Sequence, residues 1–205
     1  MTVPQASRGL QSPVAKWVGP ALALAAFVVY LLTMSQYAFP GEPARLVARH
    51  TAAQPFVEVD HGIWLSVSRI AAFIPGSTLS MRLSLFSALC AAGVIYLVYA
   101  FHVRLVWGRI DTESFAHGQS VSPATKERAS MVSAATAAAF TATCIPFWTI
   151  GNRPHYLAFD LLLFALAAYG SLLLLHFGKQ KHYYGVCFVA GLARWNFPAF
   201  WSHPH

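Results

Sequence analysis

The sequence predicts an all-α integral membrane protein of about five transmembrane helices, with an amphipathic interfacial helix in the first outer loop. Three observations lead there. Apolar residues make up 57% of the 205-residue chain and charged residues only 10%, against roughly 25% charged in soluble domains. The apolar residues gather in runs close to the roughly 20 residues that cross a bilayer. The basic residues flank those runs, as topology signals and headgroup contacts do.

Taken in order, residues 1–16 are polar, contain Pro4 and Pro13, and carry Arg8 and Lys16 without an acid. They read as a basic cytoplasmic tail ahead of a membrane domain over 17–205. The first span runs over about 17–34, an uncleaved signal anchor in preference to a cleaved leader, because SQYAFPGEP offers no small-x-small cleavage site. An outer loop follows over 36–81, and a second span over 83–101 ends before Arg104 and Arg109. Residues 103–129, with the cluster Lys126 to Arg128, read as a cytoplasmic connection. The third span, 130–150, is rich in Ala, Ser and Thr, which lets helices approach closely in lipid. Gly151 to Pro154 makes an outer turn, 156–177 a fourth span, Gly178 to His182 a basic inner turn, and 183–201 a fifth span.

All four lysines, Lys16, Lys126, Lys179 and Lys181, fall on the side this order makes cytoplasmic. The N-terminus is therefore expected inside and the active face outside, in a bacterial inner membrane or its equivalent. The net charge of +7 does not point to nucleic acid, since no basic stripe with stacking aromatics is present. Cys90, Cys144 and Cys187 each lie in an apolar run and read as small buried hydrophobes.

The first loop carries the chemistry. Ile63, Trp64, Val67, Ile70, Ala71 and Ile74 form a helical stripe between Pro55 and Pro75. It is too short to span, so the expectation is a helix in the outer interface with Trp64 at headgroup depth. Asp60 at its start fits either a helix cap or a catalytic carboxylate. Glu42 follows Pro40-Gly41 straight after the first span, where a carboxylate can act as general base beside arginines that hold a leaving phosphate. Glu42, His50, Asp60 and His61 can also hold a divalent metal, but no HxxxH or HExxH spacing supports this and no metal ligand is assigned. Asp160, an ionisable residue at the outer end of the fourth span, is either functional or bonded to Arg153 or His155. Arg194 in the fifth span faces the bundle or a wet cavity, or snorkels.

The order PGE, PF, HGIW, IPG and RLSLFSALCAA, followed by PFWTIGNRPHYLAFDLLLF and GLARWN, resembles the protein O-mannosyltransferase-like family of GT-C membrane glycosyltransferases. The resemblance covers nearly all of residues 20–200, and RLSLFSAL is its most specific block. Ser84 stands where the family usually has asparagine, Phe39 replaces the acid of the first motif, and Asp60-His61-Gly62 alters the His-Pro-rich motif. Family members also carry several further spans. The resemblance implies a polyprenyl-phosphate sugar donor and transfer on the outer face to a protein or glycan acceptor. Glu42 or Asp60 would be the base, and Arg49, His61, Trp64, Arg82, Arg153 and His155 would surround the donor. The alternative is a non-catalytic or truncated membrane subunit that binds lipid or a partner membrane protein.

Overall fold

The computed structural model describes residues 13–34, 40–50, 61–73, 75, 77–116, 118 and 121–196. Among these residues the chain is all-helical: α1 (Pro13–Thr33), α2 (Glu42–His50), α3 (Gly62–Ala72), α4 (Leu79–Ala116), α5 (Pro123–Thr143), α6 (Ile145–Gly151), α7 (Tyr156–Phe177) and α8 (Gln180–Asn196). Three helices, α1, α4 and α7, are long and apolar enough to cross a membrane, and α5 with α6 makes a fourth if the bent pair counts as one.

The long helix α4 organises the bundle, packing against α1, α5, α6 and α7. Successive long helices alternate in direction. The short helices α2 and α3 touch α4 at the end where α4 and α7 begin, here the loop end. One apolar core joins Tyr30 of α1, Ala88, Ala91, Ile95 and Tyr99 of α4, Ala134 and Ala138 of α5, and Phe147 of α6. The alanines carry no bulk, so α4 and α5 come close, as an Ala-rich span permits. A second core at the loop end joins Leu46, Trp64, Cys90, Phe159 and Leu163, drawn from α2, α3, α4 and α7.

Several boundaries differ from those the sequence predicts. The second span does not stop at 101, because α4 continues to Ala116 and takes in much of the expected 103–129 connection. Two ion pairs lie on the helix surfaces there: Arg109 donates to Glu113 one turn on, at 2.6 Å, and Lys126 of α5 bonds Asp111. The third span begins earlier, at Pro123 behind the Ser122 cap, and breaks at Cys144, where the axis turns by 68°. Pro146 explains the break, since proline has no N–H for the ladder and its ring clashes with the carbonyl four residues back. The expected fifth span corresponds to α8, whose 17 residues make it shorter than α1, α4 and α7; positions 197–201 lie outside the described residues.

The first loop also holds two helices where one was expected. The helix over α3 agrees with the stripe, but Trp64 does not lie at the interface. It is 1% exposed and packs inward with Leu46 and Phe159. Burying the indole against α2 and α7 removes more apolar surface from water than a headgroup position would.

Candidate functional site

His61, Asp160 and Asn196, which are 36 to 135 positions apart in sequence, meet at the loop end. Each arrives on a different element. His61 immediately precedes α3, Asp160 lies in the second turn of α7, and Asn196 is the last residue of α8. The fold brings them together because α8 runs antiparallel to α7 and packs against both α7 and α3.

Asn196 is fully buried and ties the cluster together. Its Nδ2 donates to Asp160 Oδ1 at 2.5 Å, its Oδ1 accepts from the Trp64 amide at 3.1 Å, and its main-chain carbonyl accepts from the His61 amide at 3.1 Å. A buried amide side chain must satisfy both of its ends, and here it does so across three helices. The other Asp160 oxygen, Oδ2, lies 3.3 Å from His61 Nδ1. His61 Nδ1 also lies 3.5 Å from Asn196 Nδ2, so the ring faces both other members of the centre.

His61 is held in an unusual conformation. Its φ of 59° is left-handed, which costs an L-residue roughly 1–2 kcal/mol. The surroundings hold it there. The amide is bonded to Asn196, the carbonyl accepts from Leu65, and the ring stacks on Tyr156 at 3.7 Å between centroids. Strain held by surrounding contacts is a frequent mark of functional positions.

The remaining predicted residues fall around this centre. His155 caps α7: its Nδ1 accepts from Leu157 at 3.1 Å, and Ser87 of α4 grips its backbone on both the amide and the carbonyl side. That grip holds the start of α7 against RLSLFSAL. Arg82 donates Nε and Nη2 to the Ser77 carbonyl at 3.0 and 2.7 Å, closing the turn into α4. Arg153 lies half-buried in the turn between α6 and α7, two residues from His155. Glu42 opens α2 one turn before Leu46, and Arg49 is near its end; neither side chain is described. Asp60 lies outside the described residues.

The sequence left Asp160 either functional or bonded to Arg153 or His155; the fold sets it against Asn196 and His61. Asn196 was not among the predicted site residues. Its signal was the GLARWN stretch, in which a buried asparagine ends an otherwise apolar helix. Arg194, two residues earlier, is exposed on the flank of α8. Among the described residues no group of three or more His, Cys, Asp or Glu side chains is placed to hold a metal ion. Of the four residues considered for one, only the side chain of His61 is described.

The class that fold and site define is an all-helical protein with three or four bilayer-length helices and a buried His-Asp-Asn centre at one end. No family model, curated protein or solved structure matches the chain.

Proposed function

We propose that the chain is a GT-C-type glycosyltransferase of the membrane, or the N-terminal part of one, moving a sugar from a polyprenyl-phosphate donor to an acceptor on the outer face. The single observation that carries this reading is the meeting of His61, Tyr156, Asp160 and Asn196. They come from HGIW, NRPHYLAFD and GLARWN, the separate stretches in which the sequence resembles that family. The docking of α2 through Leu46 onto the neighbouring apolar core supports it too, since Glu42 begins that helix.

On this reading the N-terminus is cytoplasmic and the loop end faces outward. Glu42 takes the proton from the acceptor hydroxyl as the acceptor oxygen bonds to the sugar carbon, while the bond from that carbon to the lipid phosphate breaks. The leaving phosphate is stabilised by cations, for which Arg49 and Arg153 are placed on the elements bordering the centre. Arg82 and Trp64 are positioning residues, one closing the turn into α4 and the other anchoring α3. The test is sugar release from a polyprenyl-phosphate donor by the full chain in liposomes. Glu42→Gln should cost about 10²-fold or more in turnover, the scale of a lost general base. Normal turnover in that variant beside a folded, inactive Asp60→Asn would move the base to Asp60. Absence of both turnover and donor binding in the wild type would overturn the proposal.

A second reading, a non-catalytic subunit that binds lipid or a partner span, is favoured by α8. Its Tyr184, Phe188 and Trp195 are exposed, and Asn196 spends its side chain on ties within the bundle, to Asp160 and to the Trp64 amide. Under it, changes in the His-Asp-Asn centre alter stability alone.

A further inference from the structure

At the end of the bundle opposite the His-Asp-Asn centre, α1, α4 and α7 line an open cavity of about 220 Å³. Its wall holds two cations, Lys16 and Arg104, three tyrosines, Tyr96, Tyr99 and Tyr169, and the apolar residues Pro20 and Val103. No acid lines it. Glu127 of α5, the carboxylate whose charge reaches Tyr99, is not part of the wall.

We propose that this cavity binds the phosphate of an anionic phospholipid from the leaflet in which α1 begins. Four observations carry it. First, the cations are not neutralised: Lys16 and Arg104 form no ion pair among the described residues, whereas nearby Arg109 and Lys126 each have a carboxylate. Second, Arg104 is held in place, its guanidinium 4.9 Å over the Tyr169 ring, with Nη1 reaching the Ala100 carbonyl at 3.5 Å. A guanidinium stacked on a ring keeps its outward N–H groups for an oxyanion.

Third, the wall is rigid where α1 enters. The Tyr99 hydroxyl donates to the Ala15 carbonyl at 2.9 Å, and a Cβ at Gly19 would lie 2.5 Å from the Tyr99 ring. The first turn of α1, with Lys16, is thereby fixed beside the cavity. Fourth, the depth is right: Trp17, 71% exposed, stands next to Lys16 at the start of the apolar run, as interfacial tryptophans do. Basic pockets between membrane helices take lipid headgroups in this way. The volume is below the roughly 300–1,000 Å³ of a site that engulfs a whole small molecule, which suits a headgroup whose acyl chains stay in the bilayer.

This site is independent of the transferase reading, and its test does not involve turnover. The full chain is placed in nanodiscs of phosphatidylcholine doped with phosphatidylglycerol, and retained lipid is counted by native mass spectrometry. The wild type should retain phosphatidylglycerol in preference to phosphatidylcholine. Lys16→Gln and Arg104→Gln should each lower that retention roughly fivefold, the share of one cation near a headgroup, while Arg109→Gln leaves it unchanged. Melting in pure phosphatidylcholine reports folding; if Arg104→Gln does not fold, Lys16→Gln, at an exposed position, decides. Equal retention of the two lipids by the wild type, or undiminished retention in the folded variants, would overturn the proposal. Displacement of the lipid by inorganic phosphate would make the ligand a soluble anion and overturn the lipid assignment.

Discussion

The Tyr30 hydroxyl donates to the Ala142 carbonyl at 2.9 Å, across 112 residues of sequence. That carbonyl is the acceptor which the amide of residue 146 would use in an unbroken helix. Residue 146 is proline and has no amide hydrogen, so the break that turns α5 into α6 creates an orphan acceptor. A tyrosine from α1 satisfies it, and the bend and the α1 packing are therefore one feature.

Tyr30→Phe should destabilise the bundle by about 0.5–1.5 kcal/mol, the net worth of a buried hydrogen bond. In a Pro146→Ala background, where the helix can supply its own donor, the same change should cost less. A double-mutant cycle on unfolding in mixed micelles measures the coupling; additive costs would show that the two residues act independently.

Asn196→Ala should be among the most damaging single changes. It removes the partners of Asp160 Oδ1 and of the Trp64 amide together, and stranding a buried charged acceptor costs about 1–3 kcal/mol or more. Cys90 shares the second core with Trp64 and is 4% exposed. With Cys144 and Cys187 replaced by serine, maleimide labelling of Cys90 should be slow in this background and clearly faster once Asn196 is alanine.

Gly19→Ala tests the close contact of α1 with α4. The new methyl would sit 2.5 Å from the Tyr99 ring, so the ring must move and its bond to Ala15 must lengthen or break. Overpacking of this kind costs roughly 1–3 kcal/mol. A lowered melting temperature is the expected readout, partly restored when Tyr99 is shortened to leucine.

Ser84→Ala should go the other way. The Ser84 hydroxyl is buried at the head of α4 with no hydrogen-bond partner among the described residues. Removing a buried polar group that has no partner recovers its desolvation cost. Unchanged or slightly higher stability is expected, and a loss of more than about 1 kcal/mol would reveal a partner for that oxygen.

Topology is tested by single cysteines placed at Arg49, Ser120, Asn152 and Gln180 and labelled with an impermeant reagent. The alternating helix directions predict Arg49 with Asn152 on one side and Ser120 with Gln180 on the other. Lysine placement predicts that the first pair is outside. Labelling of Arg49 from the Ser120 side would remove the outer-face assignment of the site.

The helical class and the approximate positions of the long helices were legible from the sequence alone. Runs such as Tyr156 to Phe177 can satisfy their backbone in lipid only by coiling on themselves, so composition and length decide the outcome locally. The α3 stripe was legible for the same reason, because periodicity is a local property. The ends of α4 and α5 were not. The charged residues after Phe101 read equally well as a loop or as the wet end of a helix, and only the cross-helix pairing of Lys126 with Asp111 separates the two. Trp64 was read as interfacial because a one-sided stripe does not say whether lipid or protein covers it; α2 and α7 supply that cover. The partners of Asp160 were the least accessible of all. They depend on α8 returning beside α7 and bringing Asn196 to His61, a long-range closure set by packing of whole helices. Residue types could nominate His61 and Asp160 singly, and only the tertiary structure could add Asn196 and say which of them touch.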